Sequence, residues 1–258
     1  MKPFVRFELP EGVDWEHWVE RWDRMQERYV VRRDERMELI VWLIRNTQPS
    51  VRCVVDLGCG TGSLMLAMLQ AFPEAQVVGL DFDPTLLALA RARLAEFSGR
   101  ALLMQGDLRE DSWLASLPLP ADAAVSATAL HWLPADELTL LYRRLAKGLH
   151  QEGIFLNADH VGSDYTPIQE GWERHRQLVR AQEGHFLADD WDGFWEAYLS
   201  VLGPGVRQLR RRLIGEWQGS EMGMPLAWHL DQLRASGFTA VDCFWRCDCD
   251  AIYGGIRV

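Results

Sequence analysis

The chain has 258 residues, 48% of them hydrophobic and 25% charged, with no low-complexity tract, and such a composition folds around a buried core rather than staying disordered. Its formal net charge of -10 repels a phosphate backbone, and the one dense basic run, Arg207, Arg210, Arg211 and Arg212, reads as a solvated helix face, so nucleic acid is a disfavoured partner. No apolar run approaches the roughly 20 residues that span a bilayer, and the first residues lack the apolar stretch of a secretion signal, so a cytoplasmic protein without membrane contact is expected.

Residues 14 to about 30 place Trp15, Trp18, Trp22, Met25 and Tyr29 at spacings of 3, 4, 3 and 4, one apolar stripe along a helix. That stripe either packs on the main domain or lies as a lid over a ligand. A second helix is expected over Arg36 to Asn46, stopping before Pro49. The pattern then changes to Val51-Arg52-Cys53-Val54-Val55-Asp56, a buried strand, which runs directly into Leu57-Gly58-Cys59-Gly60-Thr61-Gly62 and an apolar helix closed by Pro73. This is a strand, glycine loop and helix unit.

Four more such steps follow. Gln76 to Asp81 is a strand ending in an acid, and Asp83-Pro84 is a cap and first residue for a helix running to Gly99. Ala101 to Gln105 leads into Gly106-Asp107, Ala123 to Ala127 leads into Leu130-His131-Trp132-Leu133-Pro134, and a helix from Pro134 to Lys147 precedes a strand from Ile154 to Ala158. Short apolar strands alternating with amphipathic helices require parallel pairing with crossovers on both faces, a doubly wound α/β fold whose ligands sit beyond the carboxyl ends of the strands. From Val161 to about Ser220 the strand rhythm stops, and a helical cap insertion is expected, rich in aromatics (Trp172, Phe186, Trp191, Phe194, Trp195, Tyr198, Trp217). A helix from Pro225 to Ser236 and two strands, Thr239 to Trp245 and Ala251 to Val258, close the sheet.

The five cysteines are an odd set, with Cys53 on a strand and Cys59 in the glycine loop, so no disulfide framework is expected. Cys243, Cys247 and Cys249 lack the second pair that a zinc site needs, and no metal is expected.

The glycine loop is spaced Gly58, Gly60, Gly62 rather than as the G-x-G-x-x-G of nicotinamide enzymes. Bare main chain there admits a ligand close to the sheet edge. Asp56, just before it, can accept from a cationic amino group, which a dinucleotide lacks. Asp81, at the end of the second strand, can accept both hydroxyls of a ribose, and Asp107, at the end of the third, can accept from an adenine amine. Each acid also has a structural role open to it: Asp56 as a loop stabiliser, Asp81 as a helix cap and Asp107 as a turn residue. Three on one sheet edge are harder to explain that way.

Val54-Val55-Asp56-Leu57-Gly58-Cys59-Gly60-Thr61-Gly62, Gly79-Leu80-Asp81, Gly106-Asp107-Leu108 and Ala129-Leu130-His131-Trp132-Leu133 resemble the successive motifs of class I S-adenosylmethionine-dependent methyltransferases, small-molecule members of the trans-aconitate methyltransferase type included. The resemblance implies a seven-stranded sheet with its last strand antiparallel, and S-adenosylmethionine as cofactor. It implies that Gly58 to Gly62 pack on the methionine and ribose, that Asp81 holds the ribose, that Asp107 and Leu108 frame the adenine with Phe82 beside it, and that Ser126 or Ala127 borders the methionine. The expected divisions are an N-terminal helical extension or lid (1–48), a cofactor-binding core (49–160), the cap (161–222) and the closing helix and strand pair (223–258).

Methyl transfer from a sulfonium is an in-line displacement that asks for alignment and exclusion of water. An acceptor that must lose a proton also needs a base. His131 and His160, which follow the fourth and fifth strands, are the first candidates, ahead of His175 and His185. Each histidine equally serves as an ordinary hydrogen-bonded residue. Asp159 is a further acceptor candidate at the substrate, Tyr29 and Arg33 can close over the methionine carboxylate, and Trp172, His175 and Trp195 of the cap are candidate acceptor contacts. A small-molecule substrate is expected, with a homodimer admitted. The competing readings are a tRNA or protein methyltransferase, a nicotinamide oxidoreductase, and a module that binds the cofactor without catalysis.

Overall fold

The computed structural model describes residues 10–117, 120–183, 188–215 and 223–258. Its seven strands form one sheet in the order β3-β2-β1-β4-β5-β7-β6: β1 is Cys53–Leu57, β2 Gln76–Asp81, β3 Ala101–Gln105, β4 Ala121–Ala127, β5 Leu149–His160, β6 Phe238–Cys247 and β7 Asp250–Arg257. The first five pair in parallel, while β7 runs antiparallel to both β5 and β6. The expected doubly wound sheet, with its last strand reversed, is therefore present.

Successive strand residues feed opposite faces, and the two cores follow from that alternation. Val54, Val77, Val125 and Leu156 face a core with α2 (Arg33–Thr47), α3 (Ser63–Ala71) and α4 (Pro84–Arg93). Cys53, Val55, Leu57, Leu80 and Phe155 face another with α5 (Ala135–Gly148) and α9 (Leu226–Ala235). With both faces covered, β1 is buried at all five positions, which is why its sequence reads as a continuous apolar run.

Three boundaries differ from the sequence expectation by three residues or more. The helix α4 stops at Arg93 and is followed by a 3₁₀ turn over Ala95–Phe97 rather than continuing to Gly99. Helix α2 starts three residues early, at Arg33, which brings Arg36 onto its first turn. The strand β5 begins at Leu149, because Leu149 pairs with Ala121 across an irregularity in the ladder before the regular register starts at Ile154.

A third apolar cluster lies outside the sheet. Helix α1 (Trp15–Tyr29), capped by Asp14, turns Trp18, Trp22 and Met25 inward against Phe194, Trp195 and Tyr198 of α7 (Trp191–Leu202) and Leu89 of α4. The cap is completed by α6 (Thr166–Glu183) and α8 (Pro204–Ile214). Phe186 and Trp217 lie outside the described residues, as does His185. Among the described residues no helix is long and apolar enough to cross a membrane.

Candidate active site

A cavity of about 1320 Å³ opens beyond the carboxyl ends of β1 to β5, roofed by α1, α2, α6, α7 and α8. Its floor is the glycine loop. Gly58 has φ +68°, and a Cβ there would stand 2.4 Å from the Cβ of Ala129, so only glycine fits a loop drawn this close to the β4 turn. The Gly58 and Cys59 N–H groups both donate to the Leu80 carbonyl, at 2.7 and 3.0 Å, which binds the loop to the end of β2. Arg93 fixes its far end, with Nε donating to the Thr61 carbonyl at 2.9 Å.

The structure brings Asp56, Asp81 and Asp107 to this one cavity. Asp56 is 1% exposed, and its Oδ2 is buried without a hydrogen-bond partner. Burial first, and then repulsion from Asp81, push its carboxyl up to about 8, against a main-chain hydrogen bond from Met65. Asp81 accepts from the N–H of Gly60 at 2.7 Å and of Asp83 at 2.8 Å, and burial raises it to about 6. A carboxylate has about four acceptor positions, so Asp81 keeps capacity toward the cavity. Asp107 is held by its neighbour Arg109, whose Nη2 donates to Oδ2 at 2.6 Å, and the same guanidinium lies 6.0 Å from the centre of the Phe82 ring. Cys59, Thr61 and Leu108 also line the cavity. Thr128, the first residue past β4, has φ +50°, a strained conformation for a β-branched residue that persists where surrounding structure fixes it; its N–H donates to the Ala158 carbonyl at 2.9 Å.

Past the glycine loop the wall is built from paired charges. His131 is 7% exposed, and its Nδ1 lies 2.6 Å from Asp159 Oδ1. Asp159 is 1% exposed and also accepts from the main-chain N–H groups of His131 and His160, both at 2.9 Å. Burial opposes its charge, but the His131 and His160 contacts prevail and hold the carboxyl below its usual range. Asn157 and Tyr253, joined at 2.8 Å, back it from the core side. His160 pairs with Asp250 at 2.7 Å; burial nevertheless pulls its imidazole below the ordinary value. The two imidazole rings stand 4.8 Å apart.

Not every expected side chain is on the cavity. Ser126 is wholly buried and donates to the Leu57 carbonyl at 2.7 Å, so it ties β4 to β1 while Ala127 and Thr128 take the wall. Asp159 lies behind His131 rather than on the surface of the cavity. Trp172 and His175 face the β6–β7 turn instead: Arg246 covers Trp172 at 4.3 Å, and His175 contacts Asp248 at 2.5 Å. Trp195 does line the cavity, under Arg210 at 3.3 Å. Tyr29 and Arg33 line it as well, with Arg33 donating to Asp23 at 3.2 Å.

Arg36 and Arg176 line the cavity without any signal in the sequence, and Trp132 of the fourth-strand motif, Trp191 of the aromatic-rich cap and Arg210 also contribute. Arg210, from the run read as a solvated face, donates to Asp83 at 2.7 Å.

Residues 54–153 match a family described as a methyltransferase domain. The chain is 35% identical over 121 residues to a trans-aconitate 2-methyltransferase of Azoarcus sp. (strain BH72), covering 46% of this chain and 44% of that protein. It is 41% identical over 113 residues to the Deinococcus radiodurans protein of the same name, covering 42% and 40%. These matches span less than half the length of the curated relatives. The crystal structure of magnesium protoporphyrin IX methyltransferase from Synechocystis PCC 6803, solved with bound SAH, superposes with a TM-score of 0.57 at 17% identity, over 93% of this chain and 94% of that one. Residues 54–153 are thus similar to a methyltransferase domain, and the seven-stranded fold around them is one that a solved methyltransferase shares.

Proposed function

We propose that this protein binds S-adenosylmethionine in the cavity above the glycine loop and transfers its methyl group to a small-molecule acceptor. The observation that carries the reading is Asp56: a carboxylate oxygen buried without a partner, beside a bare glycine turn, is destabilising unless a cation reaches it. The ammonium of the cofactor's methionine part is such a cation. Asp81, with acceptor positions left over, suits the ribose hydroxyls; Phe82 and Leu108 flank the place for the adenine, and Asp107 reaches its amine by sharing Arg109. Tyr29 and Arg33 stand over the methionine end.

When bound, the cofactor supplies an activated methyl group whose bond to sulfur breaks with both electrons remaining on sulfur. The protein's part is to align the acceptor, exclude water and hold a proton. His131 is the candidate base. Its Nδ1 is tied to Asp159, which fixes the tautomer and leaves Nε2 for a ligand. His160, drawn down by burial and bound to Asp250, supports the same wall.

The acidic surface and the roofed cavity favour a small molecule over tRNA or protein, and the names of the curated relatives point the same way. The test is incubation with methyl-labelled S-adenosylmethionine and a fractionated extract of small metabolites. A labelled small product is expected. Label appearing only in macromolecules, or in no product, contradicts the proposal.

A further inference from the structure

Two arginines reach the cavity wall next to the histidine pair: Arg36 from the first turn of α2 and Arg176 from α6 of the cap. Their side chains are only 3% and 11% exposed. Both turn to one carboxylate, Asp250, which is 1% exposed and stands behind them rather than on the wall: Arg36 Nη1 lies 3.3 Å from its Oδ1 and Arg176 Nε 3.7 Å from its Oδ2. Asp250 also takes His160 Nδ1. The other nearby carboxylate, Asp159, is committed to His131 and to the main chain at His160.

Two guanidinium charges therefore share one carboxylate. Arg36 Nη2 and Arg176 Nε are buried without hydrogen-bond partners, as is Asp250 Oδ2, which faces Arg176 Nε at 3.7 Å. Arg176 Nη2 donates to the Tyr29 carbonyl at 3.2 Å and sits 3.3 Å from the ring nitrogens of His160. The Arg176 guanidinium is thus one imidazole ring away from His131. A planar oxyanion suits the arginine fork. Asp136 and Glu137 at the start of α5 line the same cavity, so the negative charge of a ligand belongs at its arginine end.

We propose that Arg176 and Arg36 form a carboxylate-binding subsite beside His131, and that the acceptor is a hydroxy acid methylated on its hydroxyl. The proposal rests on the methyl-transfer reading above. A carboxylate is ionised at neutral pH and makes no use of a base, so an oriented His131–Asp159 pair serves a group that still carries its proton. With the acid end fixed on the arginines, His131 Nε2 takes the hydroxyl proton as the hydroxyl oxygen forms its bond to the methyl carbon. The product is an ether, and the proton later leaves His131 for solvent.

Calorimetry of the protein saturated with S-adenosylhomocysteine tests the subsite, with 4-hydroxybenzoate and malate compared with 4-hydroxybenzamide and malamide. The acids should bind about tenfold or more tightly than the amides, as expected for a charge-assisted pair. Arg176→Gln should erase the difference and Arg176→Lys restore part of it, each variant being measured at its own saturating concentration of S-adenosylhomocysteine. Acids that bind no better than amides, or a preference that survives Arg176→Gln, overturn the subsite. The methylated product of either acid should withstand alkali; an alkali-labile ester overturns the hydroxyl assignment. Failure of the wild type to bind S-adenosylhomocysteine would instead overturn the methyl-transfer reading.

Discussion

At the scale of single residues, Asp56 is the most exposed to test, because its environment makes opposite demands before and after a cation arrives. Its folded carboxyl is raised to about 8, above the ordinary aspartate range of the unfolded chain. The folded state therefore holds a proton that the unfolded state has released at neutral pH, and this stabilising preference is lost as pH rises through about 8. Ligand-free protein should lose stability as pH rises from about 6 to about 8 and level off above that, and Asp56→Asn should flatten that part of the profile in thermal melts. Binding a methionine ammonium favours the ionised form, so binding near pH 7 should release about one proton. Titrations in buffers of differing ionisation heat read this directly; the asparagine variant should release none. Unchanged proton release in that variant would place the titration elsewhere.

Residues such as Asp56, Asp81 and Asp107 were legible from sequence because a strand, a turn and an acid are consecutive in the chain, so local pattern fixes where the side chain stands. Of the two alternatives Ser126 and Ala127, the pattern could not choose: Ser126 is turned to the Leu57 carbonyl, and Ala127 reaches the wall. Arg36 carried no local signal, since its role arises only when α2 meets Asp250 of β7, 214 residues away in sequence.

At the scale of elements, the aromatic stripe of α1 packs against α7 and α4 and also faces the cavity. Trp22 is 7% exposed and meets Phe194 at 5.2 Å, Trp195 at 5.9 Å and Trp191 at 6.0 Å, yet it also lines the cavity. Trp22→Ala should lower stability by about 3 to 5 kcal/mol, the usual range for deleting a buried tryptophan, as read by denaturant unfolding. A loss below about 1 kcal/mol would mean that α1 is not packed as described. The same helix is anchored at Asp23, which accepts from Arg93 Nη1 at 2.8 Å and Nη2 at 2.9 Å, so the roof is tied to the residue that fixes the glycine loop. Within the cap, the presence of helices was readable from the missing strand rhythm, but their rotation was not. Helix α6 turns Trp172 and His175 toward the β6–β7 turn and gives the cavity Arg176 instead, because Arg246 and Asp248 of that hairpin engage the first two.

At the scale of the whole molecule, the parallel pairing of the first strands followed from rules of chain connection that need no side-chain detail, the reversed β7 was implied by the family resemblance, and the sheet order is visible only in the structure. The site between sheet and cap is different, since it depends on how three separate segments converge. Its central claim is a cradle for an amino-acid-bearing nucleoside, built by the glycine loop with Asp56 and Asp81. Calorimetric titration with S-adenosylhomocysteine and, separately, NADH measures that most directly. The account predicts one site for S-adenosylhomocysteine, none for NADH, and at least about tenfold weaker binding in Asp81→Ala, from roughly 1.5 to 3 kcal/mol of charged hydrogen bonding lost. A preference for NADH, or an affinity for S-adenosylhomocysteine that Asp81→Ala leaves unchanged, would contradict it.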